Sequence, residues 1–373
     1  MKCFIQQDIT VSKLASLLKI PRQLLEDCNE GLSKEIYLRG TNAALPALSV
    51  SNSADCGLRD ELSVYIKLHN IPAYLPAPII HLKETYSSTD CYSDIQLLSN
   101  SFPFVRKSVI GQSVLGQPII ELSLGRGPKK VHLNGSFHAN EWITSCVTMS
   151  WLFEYVTALL EDSHYRGYKA RDLYNETTLS VVPMVNPDGV DLVLENLPKE
   201  GSLYEKVKKI NGDREDFSQW KANIRGVDLN NQYPANWEIE KIRKIPQSPA
   251  PRDYPGDRPL TEPEAQCMAQ LVKDRNFDRV VAFHTQGEEI YWGYLGREPQ
   301  EAEMIVNEYA ALSGYLPVRD IDSHAGFRDW FINERKLPGY TVELGIGSNP
   351  LPIGQFTEIA DKSRGIFWAS LYM

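Results

Sequence analysis

The chain has 373 residues, 42% hydrophobic and 23% charged, enough for one large globular domain plus a smaller one. Its 39 basic and 48 acidic side chains give a net charge of −9, which argues against nucleic acid or an anionic lipid surface as partner. The start, MKCFIQQDITVSKLASLLKI, lacks the pattern of a signal peptide, and no apolar run approaches the ~18 residues that span a bilayer, so a cytoplasmic chain without membrane insertion is expected.

In chain order, residues 1–50 read as a self-contained unit. FIQQDIT is a short strand, and VSKLASLLKI sets Val11, Leu14, Leu17 and Leu18 at helical spacing. Pro21 opens a second helix over RQLLEDCN, and EIYLRGTNAALPAL closes with a strand-like piece. This strand–helix–helix–strand order resembles a LysM module, a small α+β glycan-binding unit; a plain helical cap is the alternative. Residues 51–86 read as an extended linker, because the three prolines of IPAYLPAPII oppose helix. The cysteines (Cys3, Cys28, Cys56, Cys91, Cys146 and Cys267) are scattered with no C-x-x-C, which fits free thiols better than a disulfide framework.

Over residues 87–373 strand and helix signals alternate. KKVHLNGS, TLSVVPMVNP, DRVVAFHT and PGYTVELG are strands. EWITSCVTMSWLFEYVTALLED, TEPEAQCMAQLVKDR and AEMIVNEYAALSG are helices, the second with a capping box of Thr261 and Glu264, the third stopped by Gly314. The order predicts an α/β domain: a mixed, mostly parallel sheet with helices on both faces. Sites in such sheets collect at the C-terminal ends of the strands.

Four polar signals fall at those ends: His138 and Glu141 in FHANEW, the turn NPDG at 186–189, His284 after DRVVAF, and Glu343 within GYTVELG. Catalytic zinc takes three protein ligands, and two histidines with a glutamate are one established set. The i, i+3 spacing lets His138 and Glu141 reach one ion, and His284 is available as the distant third ligand. Glu343 is then the candidate to take the water's proton and deliver it to the leaving amine. Each signal has a plainer reading alone: a core or surface histidine, a buried salt-bridge partner for Glu343, a simple turn for NPDG.

FHANEW, NPDG, RGVDLN, the strand ending in His284 and TVEL occur in the order of the zinc carboxypeptidase family, which residues 87–373 resemble. The resemblance implies one Zn²⁺ per chain on His138, Glu141 and His284, with Glu343 as general base and acid. It implies that Asp228 accepts a hydrogen bond from His138, that Arg225 stabilises the oxyanion, and that Asn230 contacts the substrate. A local surface salt bridge is the plainer reading of Arg225 and Asp228.

The departures narrow the substrate. Exopeptidases of the family grip the free C-terminal carboxylate with an arginine after that asparagine; here Asn231 stands there, and a neutral amide cannot supply the charged fork. The closing tyrosine is not evident in RDIDSHAGFRDWF, where His324 is either a substitute or a loop residue. The resemblance implies that Arg328, the residue before Asp-Trp, lies at the base of the specificity pocket, where it would suit an anionic substrate side chain; pairing with Asp329 is the alternative. These features resemble the γ-D-glutamyl-meso-diaminopimelate peptidases of sporulating bacilli, which implies cleavage of that amide in peptidoglycan peptides, glycan strands as a further partner, and a cytoplasmic or spore-associated location. A carboxypeptidase or amidohydrolase for other acidic side chains, and a non-catalytic cell-wall binding protein, are the alternatives.

Overall fold

The computed structural model describes residues 2–46, 63–69, 84–319 and 321–373. At the N-terminus β1 (Lys2–Ile5), β2 (Ile9–Thr10), α1 (Val11–Leu18), α2 (Arg22–Asp27), β3 (Ile36–Tyr37) and β4 (Asn42–Ala44) follow in order. Thr10 caps α1 by accepting from the Lys13 N–H, and Val11, Leu14, Leu17 and Leu18 are buried, so the periodic face makes this unit's own core. Most of the expected linker lies outside the described residues. Within it, however, β5 (Ile66–His69) pairs antiparallel with β1, so the small unit draws on chain beyond residue 50. Alternating polar and apolar residues in Ile66–His69 carry a strand signal that the neighbouring prolines obscure.

The unit is fastened to the rest of the chain through α2. Asp27 accepts from the Arg126 guanidinium and, at 2.6 Å, from the Tyr174 hydroxyl, while Leu24 joins the main core.

The main sheet has eight strands: β6 (Arg106–Gln112), β7 (Pro118–Gly125), β8 (Lys129–Gly135), β11 (Thr177–Val182), β12 (Arg279–His284), β13 (Glu289–Trp292), β14 (Leu316–Arg319) and β15 (Gly339–Glu343). A small hairpin of β9 (His164–Tyr165) and β10 (Tyr168–Lys169) stands apart. The spatial order is β14-β13-β15-β12-β8-β11-β7-β6. Neighbours from β15 through β12 and β8 to β11 run parallel, whereas β13 on β15, β7 on β11 and β6 on β7 are antiparallel. The sheet is mixed, as expected.

The strands sort their side chains by parity onto two cores. On β12, Val281 and Phe283 face one side, Val280 and Ala282 the other; on β15, Tyr340 and Val342 join the first side. The first core is covered by α3 (Ser88–Ser101), α4 (Ile143–Glu161), α10 (Glu301–Ser313) and α12 (Phe356–Tyr372). The second is covered by α9 (Pro263–Arg275) and α11 (Phe327–Arg335). The remaining helices, α5 (Ala170–Glu176), α6 (Pro187–Val193), α7 (Gly201–Ile210) and α8 (Trp237–Arg243), lie in the connections.

Helix α4 and the turn before it are long and apolar enough to cross a membrane by composition alone. That apolar surface is covered within the fold: Trp151 stacks on Phe367 of α12 at 5.0 Å, and most of the helix is buried. Gly314 ends α10 in the left-handed region, φ 76°, as its position implied.

The capping box expected on α9 is not formed. Thr261 donates its N–H and hydroxyl to Gln232 Oε1, and Glu264 turns inward to accept from the Val114 N–H at 3.1 Å. A tertiary partner outcompetes the local one. The five described cysteines are free thiols; Cys56 lies outside the described residues.

Candidate active site

His138, Glu141, His284 and Glu343 meet at the C-terminal ends of the adjacent parallel strands β8, β12 and β15. His284 is the last residue of β12, and its register partner is Glu343, the last of β15. Paired residues of neighbouring strands share a face, so both point toward the side of α9 and α11. His138 follows β8 by three residues, and Glu141 closes a single 3₁₀ turn, Ala139–Glu141, that leads into α4.

The turn is held by buried polar contacts. The Ser136 N–H donates to Thr144 Oγ1 at 2.8 Å, and the Ala139 N–H to the Lys221 carbonyl at 3.0 Å. NPDG buttresses it from below. Asn186 caps α6 and donates to the Phe137 and Ala222 carbonyls. A Cβ on Gly189 would stand 2.7 Å from the Asn186 amide and 2.8 Å from Ala139 Cβ, so only glycine lets α6 approach the ligand turn. NPDG is thus more than a turn, though it carries no reacting group.

His138 Nδ1 lies 2.8 Å from Glu141 Oε1, His284 Nδ1 lies 2.9 Å from Glu141 Oε2, and the two Nδ1 atoms are 3.0 Å apart. All three residues are buried. Burial opposes ionisation of Glu141, but the His138 and His284 rings outweigh it and hold its carboxyl well below the usual range. Burial lowers the pKa of His284; for His138 burial acts the same way, but the Glu141 carboxylate prevails and raises it. Two imidazole nitrogens and a carboxylate within 4.8 Å of one another form a donor set suited to zinc.

Asp228, wholly buried, lies 3.3 Å from His138 Nε2. A proton on Nε2 facing this carboxylate leaves the Nδ1 lone pair toward the cluster. Lys221 Nζ lies 3.1 Å from the other Asp228 oxygen, with its side chain 21% exposed. Burial lowers the Lys221 pKa, but Asp228 and Glu141 outweigh it and keep the ammonium charged.

Arg225 is not brought to this cluster. Its side chain is 49% exposed, and Nη1 faces Glu262 at 3.5 Å. The tight turn made by the Gly226 N–H to the Asn223 carbonyl separates it from Asp228. The cation whose charge reaches His138, His284 and Glu343 is Lys221, a residue the sequence reading missed. Its one sequence signal is a lysine set between the buried Trp220 and Ala222.

Glu343 is half-buried. Burial first, then the Glu141 carboxylate, pushes its carboxyl up to about 8, while His138 and Lys221 pull it down. Glu289 on β13 is its register partner from the other side. Asn349, unnoticed in the sequence, donates to the Thr285 carbonyl at 2.9 Å and toward Glu141 Oε1 at 3.4 Å.

The remaining expected residues lie on the same side. Asn230 Oδ1 accepts from the Phe327 N–H at 3.0 Å and so fastens the start of α11. Asn231 is buried at the end of a 3₁₀ turn, Leu229–Asn231. Arg328 is 4% exposed; Nε donates to Asp329 Oδ1 at 2.9 Å and Nη2 also binds Asp329, but Nη1 is buried with no partner. The pairing with Asp329 is thus present, and one edge of the guanidinium has no partner. His324 Nδ1 meets the Tyr294 hydroxyl at 2.8 Å, and the pair lines a cavity of about 480 Å³ with Leu295 and Ile321.

A buried His–Glu–His set beside an unpaired glutamate, at the strand ends of a mixed α/β sheet, defines a zinc metallopeptidase. The model of the zinc carboxypeptidase family matches residues 91–363, and the chain belongs to that family. It is 49% identical over 295 residues to γ-D-glutamyl-L-diamino acid endopeptidase 1 of Lysinibacillus sphaericus, covering 79% of this chain and 74% of that protein. It is 44% identical over 367 residues to the protein YqgT of Bacillus subtilis (strain 168), covering 97% and 96%. Bovine thrombin-activatable fibrinolysis inhibitor shares the fold, with a TM-score of 0.60 at 19% identity over 78% of this chain and 97% of that one.

Proposed function

We propose that this zinc peptidase hydrolyses the amide joining γ-D-glutamate to meso-diaminopimelate in peptidoglycan peptides. One observation supports the reading: a neutral Asn231 stands in sequence where family exopeptidases keep an arginine, while Arg328 is a buried guanidinium with one edge unpartnered. The charge has moved from where a terminal carboxylate would bind to where a side chain would lie. The 49% identity to a γ-D-glutamyl-L-diamino acid endopeptidase supports the same choice.

His138, Glu141 and His284 hold the metal, and Asp228 fixes the His138 ring. Bound zinc supplies an acidified water and a Lewis acid for the scissile carbonyl. Glu343 takes the proton from the attacking water and delivers it to the leaving amine, the two roles of one positioned carboxyl group. Lys221, kept charged by Asp228, supplies positive potential for the oxyanion in place of Arg225. Asn230 fixes α11, which carries Arg328. The resemblance of the N-terminal sequence to a LysM module supports a glycan-holding role that raises the local concentration of substrate.

The test is hydrolysis of L-alanyl-γ-D-glutamyl-meso-diaminopimelate beside hippuryl amino acids. The wild type cleaves the first, and Glu343→Gln loses about 10²–10⁴-fold of that rate while retaining zinc. Hydrolysis of hippuryl substrates alone would overturn the assignment.

A further inference from the structure

Backbone pairing continues past the last residues of β12 and β15. The Leu344 N–H donates to the His284 carbonyl, and the Gly287 N–H to the Gly345 carbonyl, both at 2.8 Å. The chain beyond Glu343 thus runs on beside the chain beyond His284. It then turns through Gly345 and Gly347, at φ 66° and 135°. A Cβ on Gly345 would stand 2.8 Å from both Ile359 Cδ1 and Leu351 Cδ1, so only glycine lets Leu351 reach the main core at this point. With Leu351 anchored there, Asn349 is brought back against Thr285 and Glu141.

The Asn349 amide fits only one way round. Its Oδ1 accepts from the Thr285 hydroxyl at 2.7 Å, and its Nδ2 donates to the Thr285 carbonyl at 2.9 Å. Reversed, the amide oxygen would face that carbonyl and the Glu141 carboxylate, acceptors with no proton to share. The second Nδ2 hydrogen is therefore aimed at Glu141 Oε1, 3.4 Å away. Gln219 holds Asn349 from another segment, donating to its carbonyl at 2.8 Å. Among the described residues the Glu141 carboxylate meets His138, His284 and Asn349, and of these only Asn349 lies outside the metal donor set. Asn349 thus stands to Glu141 as Asp228 stands to His138. A neutral donor orients the carboxylate without cancelling the charge that draws a cation.

We propose that Asn349 is a positioning residue for the metal ligand Glu141, with its own orientation set by Thr285, and that this clasp tightens zinc binding. The proposal rests on the zinc peptidase assignment; which amide is cut does not enter. Residues that hold metal ligands are worth about 10–100-fold in metal affinity. The gain comes from order, because a carboxylate already held loses less freedom when the ion binds.

The test is the zinc dissociation constant of the full-length protein, read by competition with a chromogenic chelator. Asn349→Ala is expected to bind zinc about 10–100-fold more weakly than wild type. Thr285→Val keeps the amide but removes the hydroxyl that orients it, and a smaller loss of roughly threefold to tenfold is expected. With cobalt(II) in place of zinc, the visible d–d bands shift in Asn349→Ala, because a carboxylate free to turn alters the ligand field. A loop that only braces the fold leaves those bands in place. Zinc affinity within about twofold of wild type in Asn349→Ala, or unchanged cobalt bands, overturns the proposal. If metal-free Asn349→Ala does not fold, Thr285→Val decides alone. Weaker zinc binding with wild-type circular dichroism supports the clasp, and wild-type affinity overturns it.

Discussion

Among single residues, the candidate metal ligands His138, Glu141 and His284, with Glu343, are the most legible in the sequence. Each is a polar residue at the end of an apolar strand or beside one, where an unpaired charge is costly. Lys221 is illegible for a physical reason. Its neighbour Asp228 is seven positions away, and only the loop through Asn223 and Gly226 brings ammonium to carboxylate. Arg225 lies closer in sequence to Asp228, yet its guanidinium is on the exposed side of that loop. The two are separable by mutation. Lys221→Met is expected to lower kcat by about 10²–10³-fold, as loss of an oxyanion donor does, while Arg225→Met stays within about threefold of wild type. Steady-state kinetics on one substrate decides this; the opposite ranking restores Arg225 to the site.

At the scale of elements, helices and strands with strong periodicity are legible, and those set by partners are not. α1 and α4 carry their signals in apolar spacing or sheer apolarity. The α9 start does not, because Gln232 captures Thr261 and the first turn sends Glu264 inward. That burial has a measurable consequence. Glu264 is fully buried, and burial pushes its carboxyl up to about 7 despite the Val114 N–H and the Asn223 amide. The folded state therefore holds this proton more tightly than the unfolded chain. The stabilisation is complete below about pH 4.5 and is lost as pH rises through 7, an effect of up to about 3 kcal/mol. Thermal melts between pH 5 and 8 should show wild type losing stability relative to Glu264→Gln over that window. Parallel curves would mean that Glu264 is not protonated in the fold.

At the scale of the molecule, alternating strands and helices and the order of the motifs foretell a mixed sheet with its site at the strand ends, and the structure has that arrangement. The antiparallel edges were not legible. β6 and β7 form a hairpin whose outer strand is largely exposed and so lacks a clean apolar run, and the short β13 is split between two environments by parity. The central claim is that a carboxypeptidase frame, deprived of its terminal-carboxylate clamp, cuts an internal γ-D-glutamyl amide. Mass spectrometry of products from the tetrapeptide L-alanyl-γ-D-glutamyl-meso-diaminopimelyl-D-alanine tests this most directly. The account predicts L-alanyl-D-glutamate and the dipeptide diaminopimelyl-D-alanine. Release of free D-alanine with the tripeptide left intact would contradict it.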